Sequence, residues 1–539
     1  MKKVLIGLSW VYANGRLHIG HVGSSLPADA LARFHRLIGN DVSFVTGSDC
    51  YGTPILVSAK KEGLTPEALA QKYHELLDND FKRLGFTFDN YSKTMGEYHN
   101  KFAMDFHAEM YKGDYVYEKA ADQLYCEACK KYLPDRYVEG TCPHCQKAAK
   151  GDSCDHCSKI LEPEELIDPK CKLCGSCPKP KNTSQLYLKL SAMQDTLEKY
   201  YADKHQSWTI NAQGLAGRYL KEGLHDRAIT RNIEWGIPVP RKGWDDKRIY
   251  IWAENVLGYL SATKECKKDW QAFLLADDAL HYYVHAKDNI PFHTIILPGL
   301  MQAHPDAWHK PDIIVASEYI VLEGKKMSKS AGTLLTAEEM SDAFDIDLIR
   351  FYFLRNINDR KDFNFTFTDF VNTCNGELIN NFGNLVNRTL SFIQSKYAGE
   401  VKVFPFERRR GGTGGDGVVE VIKETSTKVH DLMYAGKTRD ALLEAMELVN
   451  FGNKYFSDNE PWKNPEASRK VIFEVLTIIA NAVKILEPFI PNSCGKVQRW
   501  LAGLDSKKNF KLPEVEILFK RLDMKEVLEK FKKYAQTPK

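Results

Sequence analysis

Tyr12-Ala13-Asn14-Gly15-Arg16-Leu17-His18-Ile19-Gly20-His21 follows at once on the apolar run Val4-Leu5-Ile6-Gly7-Leu8 and precedes a helix-forming segment from Leu26 to Leu37. The apolar run reads as a buried β-strand, so His18 and His21 stand where a strand hands over to a helix. In parallel α/β sheets the carboxyl ends of strands are where nucleotides bind. A helix N-terminus presents free N–H groups and the positive end of its dipole to phosphate, and Gly20 lets a ligand approach the backbone. Two imidazoles add donors able to follow charge on a reacting phosphate. Alone, the HxGH pattern fits ordinary capping or packing histidines as well. The choice turns on whether a second phosphate-handling element lies elsewhere in the chain.

The chain has 539 residues, 43% hydrophobic and 27% charged, with a net charge of +3. That is the composition of a globular protein with several domains. The near balance of charge neither demands nor excludes a nucleic-acid partner. No stretch approaches the roughly 18 apolar residues of a membrane span. With a strand starting at Lys3 there is no room for a signal peptide, so the reading is a cytoplasmic protein without a membrane partner. Thirteen cysteines in such a protein argue for metal rather than disulfides.

Residues 1–115 read as βα units. A second strand, Asp41 to Thr46, leads into the turn Gly47-Ser48-Asp49-Cys50-Tyr51-Gly52-Thr53-Pro54, where Asp49 either binds a cationic group or simply forms the turn. An amphipathic helix is expected from Thr65 to Leu84, stopped by Gly85. From 116 to 230 the pattern changes to four CxxC pairs: Cys126/Cys129, Cys142/Cys145, Cys154/Cys157 and Cys171/Cys174. Eight thiolates suffice for two tetrahedral zinc sites, structural because sulfur would fill every position. The eight residues between Cys145 and Cys154 make an economical span for one site, with the outer pairs closing the other. Cys177 offers an overlapping Cys174/Cys177 pair.

Residues 231–325 return to α/β character, with strands expected at Arg248–Trp252, His281–His285 and Asp312–Val315. Then comes Glu323-Gly324-Lys325-Lys326-Met327-Ser328-Lys329-Ser330-Ala331-Gly332. Its lysines and hydroxyls suit a polyphosphate, and a flexible ammonium can be drawn in as charge develops on a leaving group. After a junction covering 326–365, residues 366–539 read as an α-helical bundle. Helices are expected around Asn372–Ser395, along the stripe Val418, Ile422, Thr425, Val429 and Leu432, and over Ala441–Tyr455 and Arg469–Leu486. The glycine-dense run Arg408 to Gly417 reads as a flexible loop. A last helix should pack through Met524, Val527, Leu528 and Phe531.

With both elements in view, the chain resembles the class I aminoacyl-tRNA synthetases. His18-Ile19-Gly20-His21 matches the HIGH signature and Lys326-Met327-Ser328-Lys329-Ser330 the KMSKS signature, in the family's order. The methionine-specific branch is the most similar. It shares Tyr12-Ala13-Asn14-Gly15, Gly52-Thr53-Pro54, Leu133-Pro134-Asp135-Arg136, Lys287-Asp288, His293 and Glu460-Pro461-Trp462, and the insertion is too short for the editing domain of other branches.

The resemblance implies an α/β, Rossmann-type doubly wound catalytic domain in two halves, 1–115 and 231–325. It also implies a zinc-knuckle insertion (116–230), a KMSKS junction (326–365) and an α-helical anticodon-binding domain (366–539). It implies activation of L-methionine with ATP and Mg²⁺, and transfer to tRNA(Met) by a monomer. His18, His21, Lys326 and Lys329 would be catalytic, binding ATP together with Gly20, Ser328 and Ser330. Asp49 would hold the amino acid's ammonium, and Ser9, Tyr12, Trp252, Tyr259 and His293 would surround the rest of it. Asn380, Asn384, Arg388 and Trp462 would read the anticodon. The zinc sites would nest, Cys142, Cys145, Cys154 and Cys157 inside Cys126, Cys129, Cys171 and Cys174, leaving Cys177 unused. Ser9-Trp10-Val11, Asn255-Val256 and Leu297 depart from many relatives near the amino-acid pocket. Three other readings remain: a simple nucleotidyltransferase, a catalytically silent tRNA-binding paralogue, and a class I synthetase for another amino acid.

Overall fold

The N-terminal apolar run forms the strand Lys3–Leu8, buried from Val4 onward, as a strand with both faces covered should be. In this computed structural model, which describes residues 1–134, 137–157, 159–325, 327, 334–404, 416–506 and 508–535, it is the middle of a parallel sheet. Asp41–Asp49 pairs with it on one side and Leu280–Ala286 on the other. Ile313–Ser317 extends the sheet beyond Leu280–Ala286, while Val11–Tyr12 and Asn90–Lys93 both join Asp41–Asp49. The chain leaves the central strand first to one side and later to the other, so the carboxyl end of Lys3–Leu8 is a topological switch point. This sheet belongs to a unit comprising Met1–Arg16, Gly39–Lys82 and Thr87–Ser317; a second unit comprises Leu17–Ile38, Arg83–Phe86 and Glu318–Lys539. Among the described residues no helix is long and apolar enough to cross a membrane.

Three local expectations in the first unit change. The strand expected to stop at Thr46 runs on to Asp49, pairing Ser48 with Val11 and Asp49 with Tyr12. Gly47 permits this: a Cβ there would lie 2.4 Å from the Ser92 carbonyl oxygen and 2.7 Å from the Trp10 ring. Gly52-Thr53-Pro54 is not only a turn but opens the helix Thr53–Glu62, with proline in its first turn and Gly63 as a left-handed stop (φ 67°). The alternating Arg-Ile-Tyr-Ile-Trp run is strand only at Arg248–Ile249, and Ile251–Glu254 is helical. Local sequence favours a strand, but the buried Glu254 meets His99 and the Ala253 carbonyl meets His107, both on the helix Glu97–Met110, and these tertiary contacts decide the segment.

The insertion is carried on a long antiparallel ribbon, Val116–Cys126 against Lys179–Leu188, paired over ten residues. At its far end lies a small sheet of Val138–Thr141, Ala148–Lys150 and Ile167–Cys171. Its apolar core is slight, and four cysteines are counted within it.

In the second unit the helix expected from Leu26 begins seven residues earlier and spans Ile19–Leu37. Gly20, Gly23 and Pro27 argue locally against helix, but packing outweighs them. A Cβ at Gly23 would stand 2.4 Å from Ile320 Cδ1 on the short strand Ile320–Leu322. The C-terminal part is helical. A continuous rod runs from Phe367 to Tyr397 with a π-helical middle, Cys374–Gly383. The helices Asp416–Tyr434, Thr438–Asp458 and Arg469–Leu486 then pack together. Val418, Thr425 and Val429 of the expected stripe are buried, while the Arg408–Gly417 run lies outside the described residues up to 415. On the helix Met524–Lys530, which a further helix Lys532–Ala535 follows, Leu528 is 39% exposed and not part of the packed face; Val527 and the C-cap Phe531 are buried, and Phe531 stacks on Phe367. The side chain that follows the buried one along this short helix simply points to water.

A fully buried cation organises this unit. Arg350 pairs with the equally buried Asp29 at 2.7 Å and donates to the carbonyls of Phe489 and Pro488. Arg33 donates to the same Asp29 at 2.7 Å and to the Gly85 carbonyl. Removing one partner of a buried ionic pair leaves charge and acceptors unpaired. Arg350→Met should therefore destabilise folding by about 3–5 kcal/mol. Urea unfolding checks this, and a loss of less than about 1 kcal/mol would mean the pair is dispensable.

Candidate active site and metal centres

His18 and His21 form the start of the histidine-capped helix. The His18 ring is its N-cap: Nδ1 accepts the Gly20 N–H at 3.1 Å, while His21 Nδ1 accepts the His18 N–H at 3.3 Å. The two rings stack with centroids 3.8 Å apart. Gly20 makes the fold-back possible, since a Cβ there would stand 2.9 Å from the His18 ring and 3.1 Å from Met327 Cε. Backbone pairing fixes the stretch on its other side: the Ile19 N–H donates to Leu335 and the Ala337 N–H to Leu17. Because both Nδ1 atoms accept, a neutral ring carries its proton on Nε2 and presents a donor there. Burial pushes His18 down to about 4, and burial followed by the neighbouring His18 pushes His21 well below its ordinary value, so both are neutral near pH 7. Two uncharged N–H donors at a helix N-terminus suit phosphate. Lys326, Ser328, Lys329 and Ser330 lie outside the described residues, as do Asp135 and Arg136 of the insertion.

The first unit gathers the expected amino-acid residues near the carboxyl ends of its strands. Asp49, 1% exposed, ends its strand, and its carboxylate accepts the Tyr51 N–H at 3.3 Å. Ser9 holds the exit of the central strand through its N–H to the Val284 carbonyl. Tyr12 meets Trp252 edge to face at 6.5 Å, and Trp252 stacks flat on Phe292 at 3.8 Å. The buried Tyr259 hydroxyl donates to His293 Nε2 at 2.7 Å, and His293 Nδ1 donates to the Asn289 carbonyl at 2.9 Å. Gly7 seats this arrangement: a Cβ on it would lie 2.7 Å from the Tyr259 ring. No sequence motif marks Phe292, and His285, stacked on His293 at 4.3 Å, is expected only as part of a strand. The signal for both was their spacing from His293, visible only once the strand end and π-helical turn are in place.

These imidazoles carry a pH signature. Burial is the leading cause in each, lowering His18, His293 and also the buried His107 of the helix Glu97–Met110 from 6.5 to about 4. The unfolded chain therefore binds protons that the folded chain refuses. Their contribution to stability is intact above pH 6.5 and is lost as pH falls toward 4. The melting temperature should hold from about pH 8 to 7 and fall steeply below about pH 6.5. A flat profile down to about pH 5 would contradict the burial of these rings.

The eight cysteines fall into two groups of four, Cys126, Cys129, Cys171 and Cys174, and Cys142, Cys145, Cys154 and Cys157, each with its sulfurs within 4.8 Å of one another. Sulfur–sulfur distances are 3.6 Å (Cys126–Cys174), 3.9 Å (Cys129–Cys171), 3.8 Å (Cys142–Cys157) and 3.5 Å (Cys145–Cys154). Four thiolates about 2.3 Å from a central zinc would stand about 3.8 Å apart, so both groups could hold that ion. The local turn repeats: the residue after the second cysteine is left-handed at Lys130, Gln146 and Gly175 (φ 51°, 58° and 75°). Cys177 is exposed and belongs to neither group.

In the second unit, Asn380 and Asn384 are exposed along the rod and Arg388 follows one turn later. The Arg388 guanidinium lies 4.3 Å over the Phe456 ring and donates to the Asn453 carbonyl. Phe456 stacks near Trp462, which is 51% exposed. Phe456 thus lies against both an exposed indole and a guanidinium, groups of the chemistry used to read unpaired bases.

Comparison with known proteins bears on all of this. The chain is 40% identical over 542 residues to methionine–tRNA ligase 1 of Alkaliphilus oremlandii (strain OhILAs), covering 97% of this chain and 98% of that protein. It is 39% identical over 547 residues to the methionine–tRNA ligase of Bacillus mycoides (strain KBAB4), covering 97% of each. Among solved structures, the Mycobacterium tuberculosis methionyl-tRNA synthetase bound by methionyl-adenylate has a TM-score of 0.79 at 21% identity, covering 96% of this chain and 100% of that one. That likeness speaks to the fold. The family described as tRNA synthetases class I (M) matches residues 4–390, and this chain, with its parallel sheet, capped histidines and helical C-terminal part, belongs to it.

Proposed function

We propose that the protein is a methionine–tRNA ligase, which activates L-methionine with ATP and transfers it to tRNA(Met). The observation that carries this reading is likeness along the whole chain: about 40% identity to methionine–tRNA ligases over 97% of its length. The aromatic cluster supports the choice of amino acid. The faces and edges of Tyr12, Trp252, Phe292 and Tyr259 suit a polarizable thioether, and Asp49 supplies the anion for an ammonium.

In the first step the methionine carboxylate attacks the α-phosphate of ATP, which arrives with Mg²⁺, and pyrophosphate leaves. The chain's own task is positioning and charge stabilisation. His18 and His21 offer Nε2–H donors to the phosphates beside the helix N-terminus, with Gly20 keeping the backbone low. Lys326, Ser328, Lys329 and Ser330 follow the charge onto pyrophosphate. Ser9, Tyr12, Trp252, Tyr259 and His293 hold the amino acid. In the second step the terminal ribose hydroxyl of tRNA attacks the carbonyl of methionyl-adenylate, forming the ester as the acyl–phosphate bond breaks and AMP leaves with the hydroxyl proton released.

Asn380, Asn384, Arg388 and Trp462 read the anticodon. Zinc in each cysteine group serves the fold alone, because four sulfurs leave no open position. We read the chain as a cytoplasmic monomer with catalytic halves at 1–115 and 231–325, the knuckle insertion at 116–230, the loop and junction at 326–365 and the anticodon domain at 366–539. Incubation with ATP, labelled methionine and a tRNA transcript bearing the CAU anticodon should charge the transcript. Failure to charge it, with the protein folded, would overturn the reading.

A further inference from the structure

Behind the amino-acid residues lies a buried polar chain with no part in the chemistry above. His99, on the helix Glu97–Met110, is 1% exposed and uses both ring nitrogens. Its Nε2 lies 2.9 Å from Glu254 Oε2 and its Nδ1 lies 2.8 Å from Ser261 Oγ. Glu254 and Ser261 are each 1% exposed. Glu254 comes two residues after Trp252, and Ser261 two residues after Tyr259. One imidazole therefore spans the two turns that carry both aromatic residues. One helical turn pair further along the same helix, His107 Nε2 donates to the Ala253 carbonyl at 2.8 Å, holding the Trp252 turn from a second point. The Trp10 ring closes the other side, 5.8 Å from the His99 ring and so near Gly258 that a Cβ there would lie 2.6 Å from it.

We propose that His99 is a positioning residue of the amino-acid site, setting the separation of Trp252 and Tyr259 by bridging Glu254 to Ser261. The inference rests on the functional reading above. The donors run in one direction. The Ser261 hydroxyl donates to the Gly258 carbonyl at 3.1 Å, so it accepts from His99 Nδ1–H, and the remaining lone pair on Nε2 accepts from a protonated Glu254. Burial raises the Glu254 carboxyl well above its usual range, in keeping with a neutral acid there. A neutral strut of this kind holds geometry without leaving a charge in the core.

The test separates binding of the amino acid from everything else. In ATP–pyrophosphate exchange by the full chain, His99→Leu and the milder Ser261→Ala should each raise KM for methionine about tenfold or more, as a small displacement of a contact surface does. KM for ATP should stay within about twofold. Glu254→Leu should behave like His99→Leu, whereas Glu254→Gln, which keeps an N–H donor on the same side, should recover most of the lost affinity. Equal rises in both KM values, an unchanged KM for methionine, or a Glu254→Gln variant as damaged as Glu254→Leu would overturn the proposal. Should another amino acid prove to be the one that stimulates wild-type exchange, the methionine reading falls, and the same KM split measured with that amino acid decides the role of His99.

Discussion

An enzyme carrying His21→Ala is expected to retain its fold and its affinity for methionine while ATP–pyrophosphate exchange falls about 10²–10³-fold, the usual cost of one preorganised donor to developing charge. The geometry behind this is specific. His21 is half-buried and neutral, its Nδ1 is committed to the His18 N–H, and the hydrogen it can offer is on Nε2. It needs no protonation change to meet a phosphate and pays no reorganisation when charge shifts toward pyrophosphate. Alanine deletes that donor and also leaves the His18 N–H without its acceptor. A lost helix cap costs about 1 kcal/mol, too little to unfold a helix that packs through Gly23 and Asp29. Circular dichroism should therefore be unchanged. His18→Ala should be similar in rate and somewhat worse in stability, because His18 is the N-cap itself. Exchange within about threefold of wild type in either variant would remove the histidines from the reaction.

Stripping metal from the insertion is expected to have the largest effect on structure. The knuckle region buries few aliphatic side chains, and the cysteines themselves fill its interior. Eight thiols at sulfur–sulfur distances near 3.8 Å would gain little from one another once the ion is gone, and as thiolates they would repel. Structural zinc sites contribute apparent free energies of about 10–16 kcal/mol near neutral pH. The isolated protein should therefore contain two zinc ions per chain, and Cys154→Ser should contain one, since Cys154 belongs to a single group. Chelation should expose the segment between the two long strands to protease while the parallel sheet stays resistant. A metal-free chain with an unchanged digestion pattern would show that the cysteines hold together without an ion.

Much of this was legible in the sequence, for identifiable reasons. The central strand, the helices Pro66–Arg83, Thr438–Asp458 and Arg469–Leu486, and the CxxC groups declare themselves by periodicity or spacing that no distant contact needs to correct. The misreadings share a different cause. Gly20 and Gly23 hid the first seven residues of the histidine-capped helix, because the close approach of the His18 ring to Gly20 and of Ile320 to Gly23 asks for residues that weaken a helix locally. Arg248–Trp252 alternates like a strand, yet Glu254 is held by His99 and Ala253 by His107, contacts some 150 residues distant in sequence. Phe292 and His285 flank expected site residues but join them only through the π-helical turn Phe292–Ile296 and the strand end at Ala286. Sequence spacing found the chemistry, while the supports behind it come from residues far apart in the chain.

The central claim, activation of methionine, is tested most directly by ATP–pyrophosphate exchange run separately with each of the twenty amino acids. Stimulation by methionine alone is the predicted result. Stimulation by a different amino acid, or by none, would contradict it.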